Sequence, residues 1–184
     1  MKLTIEIDLP EAQDILQSGC PVPIARKGVT WKASCLGKMS KGKGVYVIHH
    51  ANQIVYVGKT EGPTMDFGTR LRREFQETAA NGKHIYPKLS LLPIPPLIMA
   101  HFYTISEIQQ RIKSNEPYRA DQLMAVFETA MINHLDPNLQ RHFMNATANR
   151  IRKVLKVELG REPSEEDFKV FLDGVNANGN KAGS

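Results

Sequence analysis

The sequence predicts an α+β domain: a small mixed or antiparallel sheet carrying a Tyr-bearing hairpin, flanked by helices, with N- and C-terminal extensions. Three observations point to it. The runs Val45-Tyr46-Val47-Ile48 and Ile54-Val55-Tyr56-Val57 are β-branched and aromatic and flank a polar connector, the pattern of a hairpin. "FGTRLRREF" and "QLMAVFETAMINHLDP" instead repeat their apolar residues at helical spacing. A chain of 184 residues, 41% hydrophobic and 23% charged, is long enough for one full core and ordinary for a globular protein.

Along the chain, Leu3, Ile5 and Ile7 alternate with polar residues as in a half-exposed strand, and Pro10 opens a short helix that stops at Gly19. Positions 19–43 are rich in Gly, Lys and Arg and read as loop, with one strand at 29–33. After the hairpin, whose connector takes in His49 and His50, Phe67, Leu71 and Phe75 mark a helix ending at Asn81-Gly82. "YPKLSLLPIPP" is too rich in proline to be regular, and "LIMAHFYTI" has the content of a buried strand. Ser106 with Gln109 has the form of a capping box, and a longer helix over 119–135 ends at Pro137. A basic helix over 138–159, a stop at Gly160 and a final helix capped by Ser164 complete the chain before a flexible tail. These elements group as an N-terminal extension (1–41), a core (42–140), a helical C-terminal extension (141–175) and the tail (176–184).

Composition excludes several classes of function. No run of about 18 apolar residues exists to span a membrane, and the alternating start is unlike a signal peptide, so a cytoplasmic protein is expected. Cys20 and Cys35 lack the spacing of a disulfide framework or a zinc site and read as buried or free thiols. The histidines have no metal-ligand spacing either. A net charge of +5 suits a polyanionic partner without requiring one.

One helical face is anomalous. Met124, Glu128, Met131 and Leu135 share a stripe, which places an acid among apolar residues. Burying a carboxylate is costly, so Glu128 is paired, protonated, at the edge of the stripe, or facing a cleft where a cation compensates it. Arg70, Arg72 and Arg73 crowd the helix that carries Phe67, Leu71 and Phe75, where a solvated charged face is the ordinary explanation.

Taken in chain order, these residues resemble the GIY-YIG nuclease family. Gly44-Val45-Tyr46 stands where the family has its first triplet and Tyr56-Val57-Gly58 where it has its second, with ten residues between the tyrosines. Lys59 follows, "TRLRREF" resembles the helix with the catalytic Arg, here Arg70, and "FETAMINHLDPNLQ" resembles the helix whose metal-binding Glu precedes a Pro by nine residues, here Glu128 and Pro137. The resemblance covers about 42–140. It departs from the family pattern at Gln140, where an Asn is common and Asn138 or Asn145 could substitute, and at Glu74, where a His or Tyr is common. His84 could serve in the place of that His or Tyr, and Glu74 could merely pair with Arg70 four residues back.

The resemblance implies a DNA endonuclease using one Mg²⁺, or another divalent cation such as Mn²⁺, held by Glu128. Arg70 would fork onto the scissile phosphate. Tyr46 would orient or deprotonate the attacking water, with Lys59 lowering its pKa, and Tyr56 would hydrogen-bond the phosphate or the water. Arg72, Arg73, Arg150, Arg152, Lys153 and Lys156 are the candidates for contact with DNA, and the basic 19–43 stretch is another. The compact form suits a restriction-type or mobile-element enzyme, and such restriction enzymes often work as homo-oligomers. Two rivals stay open: a nucleic-acid-binding module that keeps the fold but not the cleavage, and a protein-interaction domain with coincidental triplets.

Overall fold

The computed structural model describes residues 5–25, 29–76, 98–115 and 117–137, together with 155, 156, 159–164, 167 and 170. In chain order its elements are β1 (Ile5–Ile7), α1 (Ala12–Leu16), β2 (Cys20–Pro21), a 3-10 helix (Ala33–Lys41), β3 (Gly44–His50), β4 (Gln53–Lys59), α2 (Phe67–Phe75), β5 (Ile98–Thr104), α3 (Ile105–Arg111), β6 (Ile112–Ser114) and α4 (Ala120–Leu135). The class is α+β. A four-stranded sheet has the order β2-β5-β3-β4 with every pair antiparallel, and β1 with β6 forms a separate two-stranded ribbon.

The two predicted apolar runs pair as β3 and β4 across a two-residue turn, Ala51-Asn52. Both turn residues have positive φ, 49° and 58°, the backbone that a tight hairpin needs to follow the strand twist. His49 and His50 therefore belong to β3 and not to the connector, which is shorter than the sequence suggests. His49 is buried, its Nε2 bonded at 2.8 Å to the carbonyl of Ser18. The same serine's Oγ lies 2.7 Å from His101 Nδ1 on β5, and this ties the end of α1 to the sheet.

Alternation along the hairpin, broken by a register shift at Ile48/His49 that leaves Val55 without an opposite residue, divides the apolar residues between two cores. Val45, Val47, Ile54 and Val57 join Tyr103 and the α4 residues Phe127, Ala130 and Met131 in one. Tyr46, Ile48, Val55 and Tyr56 join Trp31, Phe67, Leu71 and Phe75 in the other. The sheet is thus a middle layer, with α4 on one side and α2 and the 3-10 helix on the other.

Trp31 explains two differences from expectation. Its backbone N–H donates to Gln76 Oε1 at 2.6 Å, and Gln76 Nε2 donates to the Val29 carbonyl at 2.9 Å. Side-chain bonds thus take the place of a strand ladder at 29–33, and the chain turns into the 3-10 helix from Ala33. The capping box also lies two residues earlier than predicted: Thr104 and Glu107 form it, because β5 runs directly into α3 and its last residue becomes the cap. α1 is confined to Ala12–Leu16. Ser164 does act as a cap, its Oγ accepting from the Asp167 N–H at 3.2 Å. The predicted Asn81-Gly82 stop, the proline-rich segment and most of the 138–159 helix lie outside the described residues.

Gly44 is fixed by a close approach. With φ at 155°, a Cβ built there would sit 1.8 Å from the Tyr103 carbonyl oxygen on β5. Gly44→Ala is therefore expected to force β3 away from β5 and destabilise the protein by about 3 kcal/mol, measured as a shift in the urea midpoint at constant slope.

Candidate active site on the hairpin face

Tyr46 is opposite Gly58, and Tyr56 is opposite Ile48, one pair further along the same face. Their rings are 6.1 Å apart, and both side chains are buried. Gly58 makes room for them: a Cβ there would lie 2.5 Å from the Tyr46 hydroxyl and 2.7 Å from Tyr56 Cε1. The glycine of the second triplet is thus the floor beneath two phenols.

Asp66 starts α2 by accepting the Thr69 N–H at 2.7 Å. The helix lays Phe67, Leu71, Glu74 and Phe75 against the sheet and leaves Arg72 and Arg73 exposed, as expected of arginines that flank a core. Arg70 lies between these faces. Its Nε donates to the Tyr46 hydroxyl at 3.1 Å and its Nη2 to Glu74 Oε1 at 3.2 Å. The Tyr46 hydroxyl in turn donates to Glu74 Oε1 at 3.4 Å. The result is a closed ring of phenol, guanidinium and carboxylate. Its arginine, 21% exposed, is the member that reaches solvent, while the Glu74 side chain is only 1% exposed.

Burial pushes the Tyr46 phenol well above its ordinary value, opposed by the Arg70 charge and assisted by that of Glu74. Tyr56 is raised by burial and then by Glu74, with Arg70 pulling the other way and Glu128 adding to the rise. Tyr46 first, then Glu74 against the cost of burial, holds the Arg70 guanidinium charged. The cation at Tyr46 is therefore Arg70 and not Lys59, and the phenol is raised, not lowered. The reason lies in register: Lys59 is opposite Val45 and so alternates onto the α4 face with Val57. It is buried there, with Nζ 3.5 Å from Glu61 Oε1.

Glu128 is 4% exposed on α4. Met124, one turn earlier, meets the Thr60 hydroxyl through Sδ at 3.7 Å, so α4 runs beside the end of β4 and brings Glu128 within electrostatic reach of Tyr56. The structure thus gathers Tyr46, Tyr56 and Arg70, sets Glu128 within electrostatic reach of Tyr56, and turns Lys59 away. His84, Asn138, Gln140, Asn145, Arg150, Arg152 and Lys153 lie outside the described residues; Lys156 is exposed and pairs with Glu162. Glu74 is more than a helix-surface partner of Arg70. Its signal was present in the sequence: 67, 71, 74 and 75 fall on one helical stripe, so Glu74 is a second acid among apolar residues.

No family model, curated protein or solved structure matches the chain. No helix among the described residues is long and apolar enough to cross a membrane.

The raised phenols set an alkaline limit. In the unfolded chain Tyr46 and Tyr56 lose their protons near pH 10, whereas in the fold they hold them to higher pH, so stability is full below about pH 10 and falls above it. Each contributes a slope of about 1.4 kcal/mol per pH unit. Urea unfolding across this range should give a shallower decline in Tyr46→Phe than in the wild type, the difference being one tyrosine's share.

Proposed function

We propose that the protein is a Mg²⁺-dependent DNA endonuclease of the GIY-YIG type, hydrolysing phosphodiester bonds. The observation that carries this is convergence: Tyr46 from β3, Tyr56 from β4 and Arg70 from α2 meet, and the charge of Glu128 on α4 is felt at Tyr56. Those four are the residues that the chain order singles out, although they are spread over 83 positions of sequence (46 to 128).

A metal site here would rest on one carboxylate, since no group of three or more His, Cys, Asp or Glu side chains is gathered among the described residues. That donor set fits Mg²⁺, a hard ion that keeps several waters and needs few protein oxygens. Glu128 would hold it, and when bound the ion would neutralise charge on the phosphoryl oxygens. Arg70 has five N–H donors and bonds Tyr46, Glu74 and Tyr56, so donors remain to grip a phosphate from the solvent side. Tyr56 would orient the phosphate or the water from β4. Arg72 and Arg73, exposed on the same helix, would contact the flanking backbone.

One observation favours the rival, a DNA-binding module without cleavage: the phenols are raised and neither is a ready base. Supercoiled and linear DNA incubated with Mg²⁺ or a chelator separates the two. Cutting that needs Mg²⁺ is expected, with Glu128→Ala reducing it by about 10²-fold or more while salt-dependent DNA binding persists. Binding without cutting, in both proteins, would establish the module instead. Arg70→Lys should also lose cutting by about 10²-fold, because ammonium cannot hold phenol, carboxylate and phosphate in one planar fork.

A further inference from the structure

A neutral, fully buried phenol with a raised pKa cannot serve as a general base by carrying charge at neutral pH. It can pass a proton through. The Tyr46 hydroxyl accepts from Arg70 Nε and donates to Glu74 Oε1, and its oxygen keeps a second lone pair for a hydrogen bond from water.

We infer that Glu74, a positioning residue that never touches substrate, is the terminal proton acceptor of the site and acts through Tyr46, which meets the attacking water. The inference rests on the nuclease reading and identifies its base. As water attacks phosphorus, its proton passes to Tyr46 Oη while the hydroxyl proton of Tyr46 passes to Glu74 Oε1. The P–O3′ bond breaks, the electron pair leaves on the 3′ oxygen, and solvent protonates that oxygen. Glu74 then returns its proton through Tyr46 to solvent. The products are a 5′ phosphate and a 3′ hydroxyl, and water is the only other reactant.

Three features of the structure support this. Glu74 is 1% exposed, so bulk water does not compete for its oxygen. Arg70 holds that same Oε1 from the other side and aims it at the phenol. Tyr46 cannot turn away, since its ring is packed edge-on against Phe67 at 6.5 Å and its hydroxyl crosses Gly58. Among the described residues, the titratable and charged groups that bear on this pair include Arg70 on the same helix, Tyr46 on β3 and Tyr56 on β4, with Glu128 on α4 acting on Tyr56. The relay needs an unprotonated carboxylate at position 74 to receive the proton.

The test uses the full chain, with single-turnover cutting of plasmid DNA in Mg²⁺ measured against pH for the wild type, Glu74→Gln, Glu74→Asp and Glu74→His. Gln keeps the shape and the hydrogen bonds but takes up no proton, and should lower the rate by about 10²–10⁴-fold with DNA binding unchanged. His should restore part of the rate and move the acid limb up toward the imidazole range near pH 6.5. A second measurement is independent of activity: the Tyr46 hydroxyl proton, assigned by its loss in Tyr46→Phe, should exchange slowly in the NMR spectrum and shift in Glu74→Gln. A Gln variant as fast as the wild type with the same pH profile overturns the relay and leaves the nuclease intact. So does a hydroxyl resonance that ignores Glu74. So do equal losses in Gln, Asp and His with lower unfolding midpoints and an unmoved acid limb, which would make Glu74 purely structural. A wild type that cuts no DNA overturns the nuclease reading, and the relay with it.

Discussion

A phenol buried in the resting protein must find its hydrogen bonds among protein groups, and the Tyr46 hydroxyl is the constraint around which this face of the fold is arranged. It is fully buried, so a missing donor or acceptor would leave a desolvated polar group costing roughly 1–3 kcal/mol. Arg70 supplies the donor and Glu74 the acceptor, and each would itself be costly to bury alone. Their i,i+4 spacing lets one turn of α2 deliver both. The helix must then lie at one height above the hairpin. Asp66 sets where it begins, and Phe67, Leu71 and Phe75 press it onto the sheet.

The hairpin serves two masters because its side chains alternate. Val45, Val47 and Val57 meet α4 as ordinary apolar core, with Lys59 and Thr60 buried at the end of β4. The opposite face carries the tyrosines, and there the backbone itself must recede, which is why position 58 has no side chain. Strand β4 is the edge of the sheet, and α4 runs alongside it. A helix at an edge can act on the other face without crossing the sheet, and the charge of Glu128 is felt at Tyr56.

What could be read from the sequence follows from how local the causes are. The hairpin, the Phe67, Leu71, Phe75 stripe and the anomalous acid in α4 depend on periodicity within one element, and each was legible. The histidines and Trp31 were not, because their partners are distant in sequence: Ser18 for His49 and His101, Gln76 for Trp31. The cap of α3 was misplaced because both Thr104–Glu107 and Ser106–Gln109 fit the pattern and only the end of β5 chooses between them. Register sends Lys59 away from the phenols. Its nearness to Gly58 in sequence suggested nearness to the phenols, whereas a strand sends successive side chains to opposite faces.

The charges of the site carry one further consequence for a polyanionic ligand. Arg70 contributes one positive charge, and Glu74 and Glu128 one negative charge each, so the group stands at 1 − 2 = −1 before any ligand arrives, taking both carboxylates as ionised. A phosphate brings it to −2 in surroundings that screen poorly. On the nuclease reading the exposed arginines of α2 would draw DNA to the surface, but they lie outside the buried ring and cannot balance charge within it. A divalent cation at Glu128 returns the total to zero. On the nuclease reading the metal is therefore needed first to let the phosphate settle against Arg70. On that reading DNA would bind the protein without metal, yet with its backbone standing off from the tyrosines.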